Sequence, residues 1–339
     1  MVPGYTEIVS KRLPPEVFRP VLSRAFWLLA YVPVVAACTT AIVRLQLGFL
    51  SRLAFSLVIG VAFTCIGILA HEVLHGSVVE ARWLRRVLGT VCLAPLNLGP
   101  VFWMMWHNTH HAHTQDPLRD PDNWGTTVDL PKEPGMRFLR RFTGPHSLIF
   151  PILLCTGVSG HGAALLFLTQ RQMNRRQRIV TLIEFFLPLG FWVFLGLWLG
   201  WVHWVFFYLI PLLIANLIIN SFVVTNHFLN PLDDGGDPLA SSLTVTTYRW
   251  LERLLLNFNY HAEHHLLPGI NPKYAPQVTR LLQELWPDRY QQMSHRKALL
   301  AVWRTPRVYF DQVSLIDLRD GTRYGTLGHG LNESKKSSK

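Results

Sequence analysis

Five long apolar stretches, separated by short polar and basic segments, organise this chain. Residues 26–43 and 53–70 come close to the length needed to cross a hydrocarbon core, about 20 residues for ~30 Å. A short segment holding Arg44 and Arg52 joins them, as a tight helical hairpin requires. Residues 179–201 and 204–224 form a second such pair, with Gly200 and Trp201 marking the turn and tryptophans at interface depth. The fifth stretch, 146–168, carries Gly157, Gly160, His161 and Gly162 near its middle, which weakens it as a lipid-exposed helix. Residues 87–106 hold Pro95 and Pro100 and read as interfacial. The N-terminus and segments 82–86, 137–141 and 171–178 are all basic. If they share the cytoplasmic side, 146–168 lies along the membrane surface. The expectation is an all-α integral membrane fold: four transmembrane helices in two hairpins under a cytosolic helical cap.

Composition agrees with that pattern. Half of the 339 residues are hydrophobic and only 16% are charged, and the mean hydropathy is +0.22. This is too apolar for an ordinary soluble domain. The formal charge of +11 could signal nucleic-acid binding, but the basic residues flank the apolar stretches instead of forming one arm or stripe. The positive-inside bias explains them, and no nucleic-acid partner is expected. Cys38, Cys65, Cys92 and Cys155 sit in apolar surroundings without metal-like spacing and read as small hydrophobes. The first apolar run lacks a convincing cleavage site and is expected to remain as an anchor.

Fifteen histidines are distributed unevenly. His71-Glu72-Val73-Leu74-His75 ends the second apolar run, His107-Asn108-Thr109-His110-His111 follows the interfacial region, and His261-Ala262-Glu263-His264-His265 follows the last run. On a helix each residue advances about 100°, so i, i+3 and i+4 share a face. Each HxxHH can therefore project three imidazoles in one direction, and HxxxH two. Imidazole suits iron, zinc, copper and nickel, so ligand type alone does not fix the metal. One zinc needs three or four ligands; eight imidazoles suggest two metals. Histidines sharing such a site must emerge on one face of the membrane, so an even number of crossings must separate the clusters. Four spans satisfy this and five do not.

The motifs HEVLHG, WHNTHHAHT and NYHAEHHLLP resemble, in order and separation, the three histidine boxes of the membrane fatty-acid desaturase and hydroxylase superfamily. The resemblance runs from the first span to Pro268. It implies a di-iron centre at the membrane surface and O₂-dependent attack on an unactivated C–H bond of a lipid-like substrate. His71, His75, His107, His110, His111, His261, His264 and His265 would be ligands, and His227 matches the position of a ninth. Fatty acyl chains are the leading substrates, and desaturation the leading outcome. Lipid or carotenoid hydroxylation is the alternative within the superfamily. HEVLH also fits the zinc-protease pattern HExxH, but that reading leaves both HxxHH groups unexplained.

Metal-bound imidazoles usually donate their second N–H to a carboxylate or carbonyl. Glu72, Asp120, Asp122 and Glu263 are candidates to accept it, and His113 could orient a ligand. Asn220 or Asn226 could act through water, since intramembrane polar residues are often functional. Asn216 and Asn220 could equally well glue helices together. His146, His161, His203, His295 and His329 stand alone and need no metal. Trp103, Trp106, Phe258 and Tyr260 lie near ligands in sequence and could line an apolar tunnel.

No flavin, nicotinamide or fused haem-carrier motif is present, so electrons must come from a separate ferredoxin-like or haem-containing donor. Residues 1–25 are expected to be a cytosolic N-terminal segment and 26–310 one membrane domain, with cap residues 71–178 and 228–310. Residues 311–339 read as a C-terminal tail with a disordered end. Both termini and the active site are expected on the cytoplasmic side.

Overall fold

A computed structural model describes residues 4–123, 143–233, 235–331 and 334–335. The basic segment 137–141, the end of the loop after the second histidine box and the last residues of the tail lie outside them.

Five helices are long and apolar enough to cross a membrane: α2 (Leu22–Arg44, opening in a 3₁₀ turn), α3 (Phe49–Leu74), α6 (Ile149–Thr169, continued to Gln172 by a 3₁₀ turn), α7 (Arg175–Leu199) and α8 (Trp201–His227). The expected apolar runs thus extend by several residues at most ends. The extension matters for α3 and α8, whose last turns carry His71 and His227. Before α3 comes α1 (Tyr5–Arg12), and between α3 and α6 lie α4 (Arg82–Leu93) and α5 (Pro100–His113). After α8 follow α9 (Pro238–Ser241), α10 (Arg249–Leu254), α11 (His261–Leu266), α12 (Ala275–Leu285) and α13 (His295–Arg304).

The core is built around α3, whose apolar window is 67% buried, against 17% for α2 and for α6. Close approach of α3 and α8 depends on Gly60: a Cβ there would lie 2.7 Å from Ile214. Ser56 donates to the carbonyl of Phe206, so α3 and α8 begin at the same end and run side by side toward the histidines. Asn174 caps α7 in a reciprocal capping box with Gln177, and Gly200, at φ +95°, turns the chain into α8. Trp192 of α7 stacks on Tyr208 of α8 at 4.1 Å. Helix α4 with its 3₁₀ extension and α5 meet at 89°, around Asn97 and Gly99. The interfacial stretch read from the sequence is therefore a bent pair that leads back to the second histidine box.

Contacts with other elements hold both ends of helix α6. His146, just before it, donates its backbone N–H to Trp303, and the Arg307 guanidinium lies 3.8 Å over the Phe150 ring. At its other end Met173 packs with Phe102 and receives the Thr181 hydroxyl at the start of α7.

The region after α8, called the cap below, is not purely helical. Strand β1 (Thr244–Thr246) pairs in parallel with β2 (Gln292–Ser294). Within the expected tail, β3 (Ser314–Ile316) and β4 (Arg323–Gly325) form an antiparallel pair. Leu327 then donates to the Leu229 carbonyl, so the segment up to Leu331 is folded onto the cap.

Candidate metal centre

Each histidine box is placed by a helix end. The last turn of α3 supplies His71 and, at its C-cap, His75; α5 supplies His107, His110 and His111; α8 ends on His227; the short α11 supplies His261, His264 and His265. Their ligand atoms fall into two groups, each within 4.8 Å: His71, His75, His107, His111 and His264 in one, His110, His227, His261 and His265 in the other. All nine histidines singled out in the sequence come together, on one side of the bundle.

Ring nitrogens face one another instead of separate partners. Nε2 of His107 lies 3.1 Å from that of His71 and 3.1 Å from that of His111. Nε2 of His264 is 2.9 Å from that of His111, and Nε2 of His227 is 2.7 Å from that of His261. Neutral imidazole has one donor and one acceptor nitrogen, so a ring of converging Nε2 atoms cannot be satisfied by hydrogen bonds alone. A cation accepting all the lone pairs can satisfy it. Burial, reinforced by neighbouring imidazoles, depresses His107, His111, His261, His264 and His265 well below the usual histidine range. The rings are thus kept neutral, with lone pairs free for metal.

The outer nitrogens are held in place. His110 Nδ1 lies 2.9 Å from Asp120 and 3.4 Å from Asp122. Burial alone would depress His110, but Asp122 and Asp120 outweigh it and raise it. Asp122, which burial would push up, is held below the usual carboxylate range by His110, then His161 and Trp106. His227 Nδ1 meets the Ser241 carbonyl at 3.0 Å, and His265 Nδ1 meets the Thr114 hydroxyl at 3.1 Å.

Several sequence expectations are corrected. Glu72 points away from the histidines and pairs with Arg24 and Asn271. Glu263 accepts from Thr244, Thr279 and Tyr290. Both carboxylates pin ligand-bearing helices to the cap and bond to no imidazole among the described residues. A general-base role for Glu72, which the HExxH protease reading needs, has no geometric support. Asn220 donates to the carbonyls of Leu154 and Asn216, which makes it the helix glue. His113 is half-buried at the end of α5 and belongs to neither group. Asn226 is fully buried, and its side-chain amide has no partner among the described residues.

Of the aromatic residues, Trp103 stacks on His107 at 4.3 Å and Phe258 meets His71 edge-on at 5.6 Å. Tyr260 is turned toward Glu252, and Trp106 donates to Asp122. A small cleft beside His71, His261 and His264 is walled by Ile68, Leu256 and Phe258. A larger cavity of about 150 Å³ opens next to His111 and His265, between Tyr5, Thr6 and Ser241.

The residue that sequence reasoning missed is His161. Its Nε2 lies 2.8 Å from Asp122, although it stands alone in an apolar stretch. The one available signal was a titratable side chain among apolar neighbours.

Comparison with known proteins agrees with this geometry. The fatty acid desaturase family profile matches residues 47–297. The sn-1 oleoyl-lipid 12-desaturase of Synechocystis sp. is 26% identical over 79% of this chain and 77% of its own length. The endoplasmic-reticulum omega-6 fatty acid desaturase of Brassica juncea is 26% identical over 87% and 84%, respectively. The sn-1 oleoyl-lipid 12-desaturase of Anabaena variabilis is 24% identical over 68% of each.

Proposed function

The chain belongs to the fatty acid desaturase family, and from that premise we propose that it introduces a double bond into a fatty acyl chain carried by a membrane lipid. The carrying observation is the convergence of nine imidazoles from four helix ends into two adjacent groups. His71, His75, His107, His111 and His264 would hold one iron; His110, His227, His261 and His265 would hold the other. When bound, the pair supplies the O₂ chemistry that removes hydrogen from an unactivated carbon. The acyl-lipid substrate class follows the names of the cyanobacterial relatives.

The protein's own part is positioning and exclusion of water. Trp103 and Phe258 pack against the ligand rings and present an apolar wall where the chain would lie. Asp120, Ser241 and Thr114 fix the orientation of His110, His227 and His265, and so the direction of their lone pairs. The names of the relatives favour loss of two neighbouring hydrogens over hydroxylation.

Four helices, α2, α3, α7 and α8, would cross the bilayer, with α6 inclined along its surface. The support is parity: α6 starts beside α13 and ends at the head of α7, both at the histidine end. A third crossing between His111 and His227 would put them on opposite faces, yet both lie beside His110 and His265. The basic segments 82–86 and 171–178 support a cytoplasmic setting for that end and for both termini. An acidic ferredoxin-like or haem-containing donor would dock there. Turnover should fall steeply as salt rises, and a salt-independent rate would count against this docking.

The main test is expression of the full chain and of His264→Ala in a host of known lipid composition, with lipid profiling and iron analysis. New double bonds and about two irons per chain are expected from the natural sequence, and no new product from the variant. Hydroxylated lipids would move the activity to hydroxylation, and a chain that binds zinc but no iron would overturn the proposal.

A further inference from the structure

Helix α6 reaches the metal centre at one point. Its His161, with 11% of the side chain exposed, places Nε2 2.8 Å from Asp122 Oδ1, and the Trp106 indole N–H donates to the same oxygen at 2.7 Å. The other oxygen, Oδ2, then faces His110 Nδ1 at 3.4 Å. Two donors on one oxygen fix the rotation of a carboxylate, because turning the group would give up both bonds. Asp120, by contrast, is held by the backbone N–H groups of Gln115 and Asp122 within its own loop. Of the two carboxylates at His110, only Asp122 depends on a distant part of the chain among the described residues.

The two metal groups differ accordingly. His110 belongs to the four-histidine group, and no member of the five-histidine group contacts a carboxylate among the described residues. A carboxylate on the outer N–H of a ligand imidazole raises its basicity and strengthens the bond to metal. We propose that His161 is a positioning residue for the metal centre: it holds Asp122 against His110 and so secures the metal of the His110–His227–His261–His265 group selectively. Helix α6, apolar over most of its length, is thereby part of the metal site. Gly162, next to His161, lets the helix come close; a Cβ there would lie 2.6 Å from Leu98 and 3.2 Å from the Trp106 ring.

This inference rests on the di-iron reading of the two groups, and its test separates the two. The full-length natural chain, His161→Ala, His161→Gln and Ser159→Ala would be purified without metal and titrated with Fe²⁺ under anaerobic conditions. Binding would be followed by chelator competition and Mössbauer spectroscopy. Ser159→Ala is the structural control, because Ser159 ties the same helix to the Leu96 carbonyl but does not touch Asp122.

With His161→Ala, one of the two irons should bind about 10–100-fold more weakly, and one of the two Mössbauer components should be lost first. His161→Gln, whose amide can still donate to Asp122, should restore most of that affinity, and Ser159→Ala should leave both irons unchanged. Equal weakening of both irons, or the same loss in Ser159→Ala, would reduce His161 to a packing residue and overturn the inference. So would a His161→Ala chain with natural affinity at both irons. If the natural chain bound no iron, the functional reading itself would fail.

Discussion

Among the buried or half-buried carboxylates close to the histidine boxes in sequence, four form two pairs with opposite roles. Glu72 and Glu263 sit inside boxes, adjacent to ligands, and face away from the metal groups. Asp120 and Asp122 sit in the loop beyond the second box and face His110. The difference follows from helical geometry. A residue next to a ligand on a helix points about 100° away from it, so Glu72 and Glu263 are turned outward by the spacing that turns the histidines inward. A loop has no such constraint. Neighbours in sequence brace the scaffold, and more remote residues reach the ligand's outer nitrogen.

The comparison can be broken by removing one partner at a time. The largest loss of stability should come from Arg24→Ala, which strands the buried Glu72 carboxylate with Asn271 as its remaining side-chain partner. About 3–5 kcal/mol is expected, read as a lower unfolding midpoint in detergent; a change within error would mean that Glu72 is not held by this pair. Tyr290→Phe removes one of three hydroxyls on Glu263. It should cost about 1.5–3 kcal/mol while iron stoichiometry stays the same, and a loss of iron without a loss of stability would place Glu263 with the aspartates. Asp122→Asn should do the reverse, with iron affinity down about 10–100-fold and the unfolding midpoint little changed. The smallest effect, about 1 kcal/mol, is expected for Asn220→Ala, which loosens α6 from α8; loss of iron there would return Asn220 to the metal centre.

Much of this was legible in the sequence because it is local. The i, i+3, i+4 spacing of the boxes sets imidazole direction on any helix, and the apolar runs show where the long helices lie. The ends of α3 and α8 were missed by a few residues because the histidines in their last turns are polar. What was not legible depends on tertiary contact. Nothing near His161 in the sequence points to Asp122, since the bond exists only once α6 lies across α5. Nor could the partners of Glu263 be read, because Thr244, Thr279 and Tyr290 come from a strand, a helix and a loop that meet only in the folded cap. The pairing of β3 with β4 was hidden by polar residues that resemble a tail.

His264 and His111 are 153 positions apart and their ring nitrogens come within 2.9 Å. A ribosome adding about 5–20 residues per second finishes the second box well before the third exists. Until then the nascent chain offers His71, His75, His107, His110 and His111 with neither His227 nor α11 to close the cage. If the two groups hold iron as proposed, metallation would be complete only once α8 and α11 are in place, a late quality check on whether the whole chain has folded.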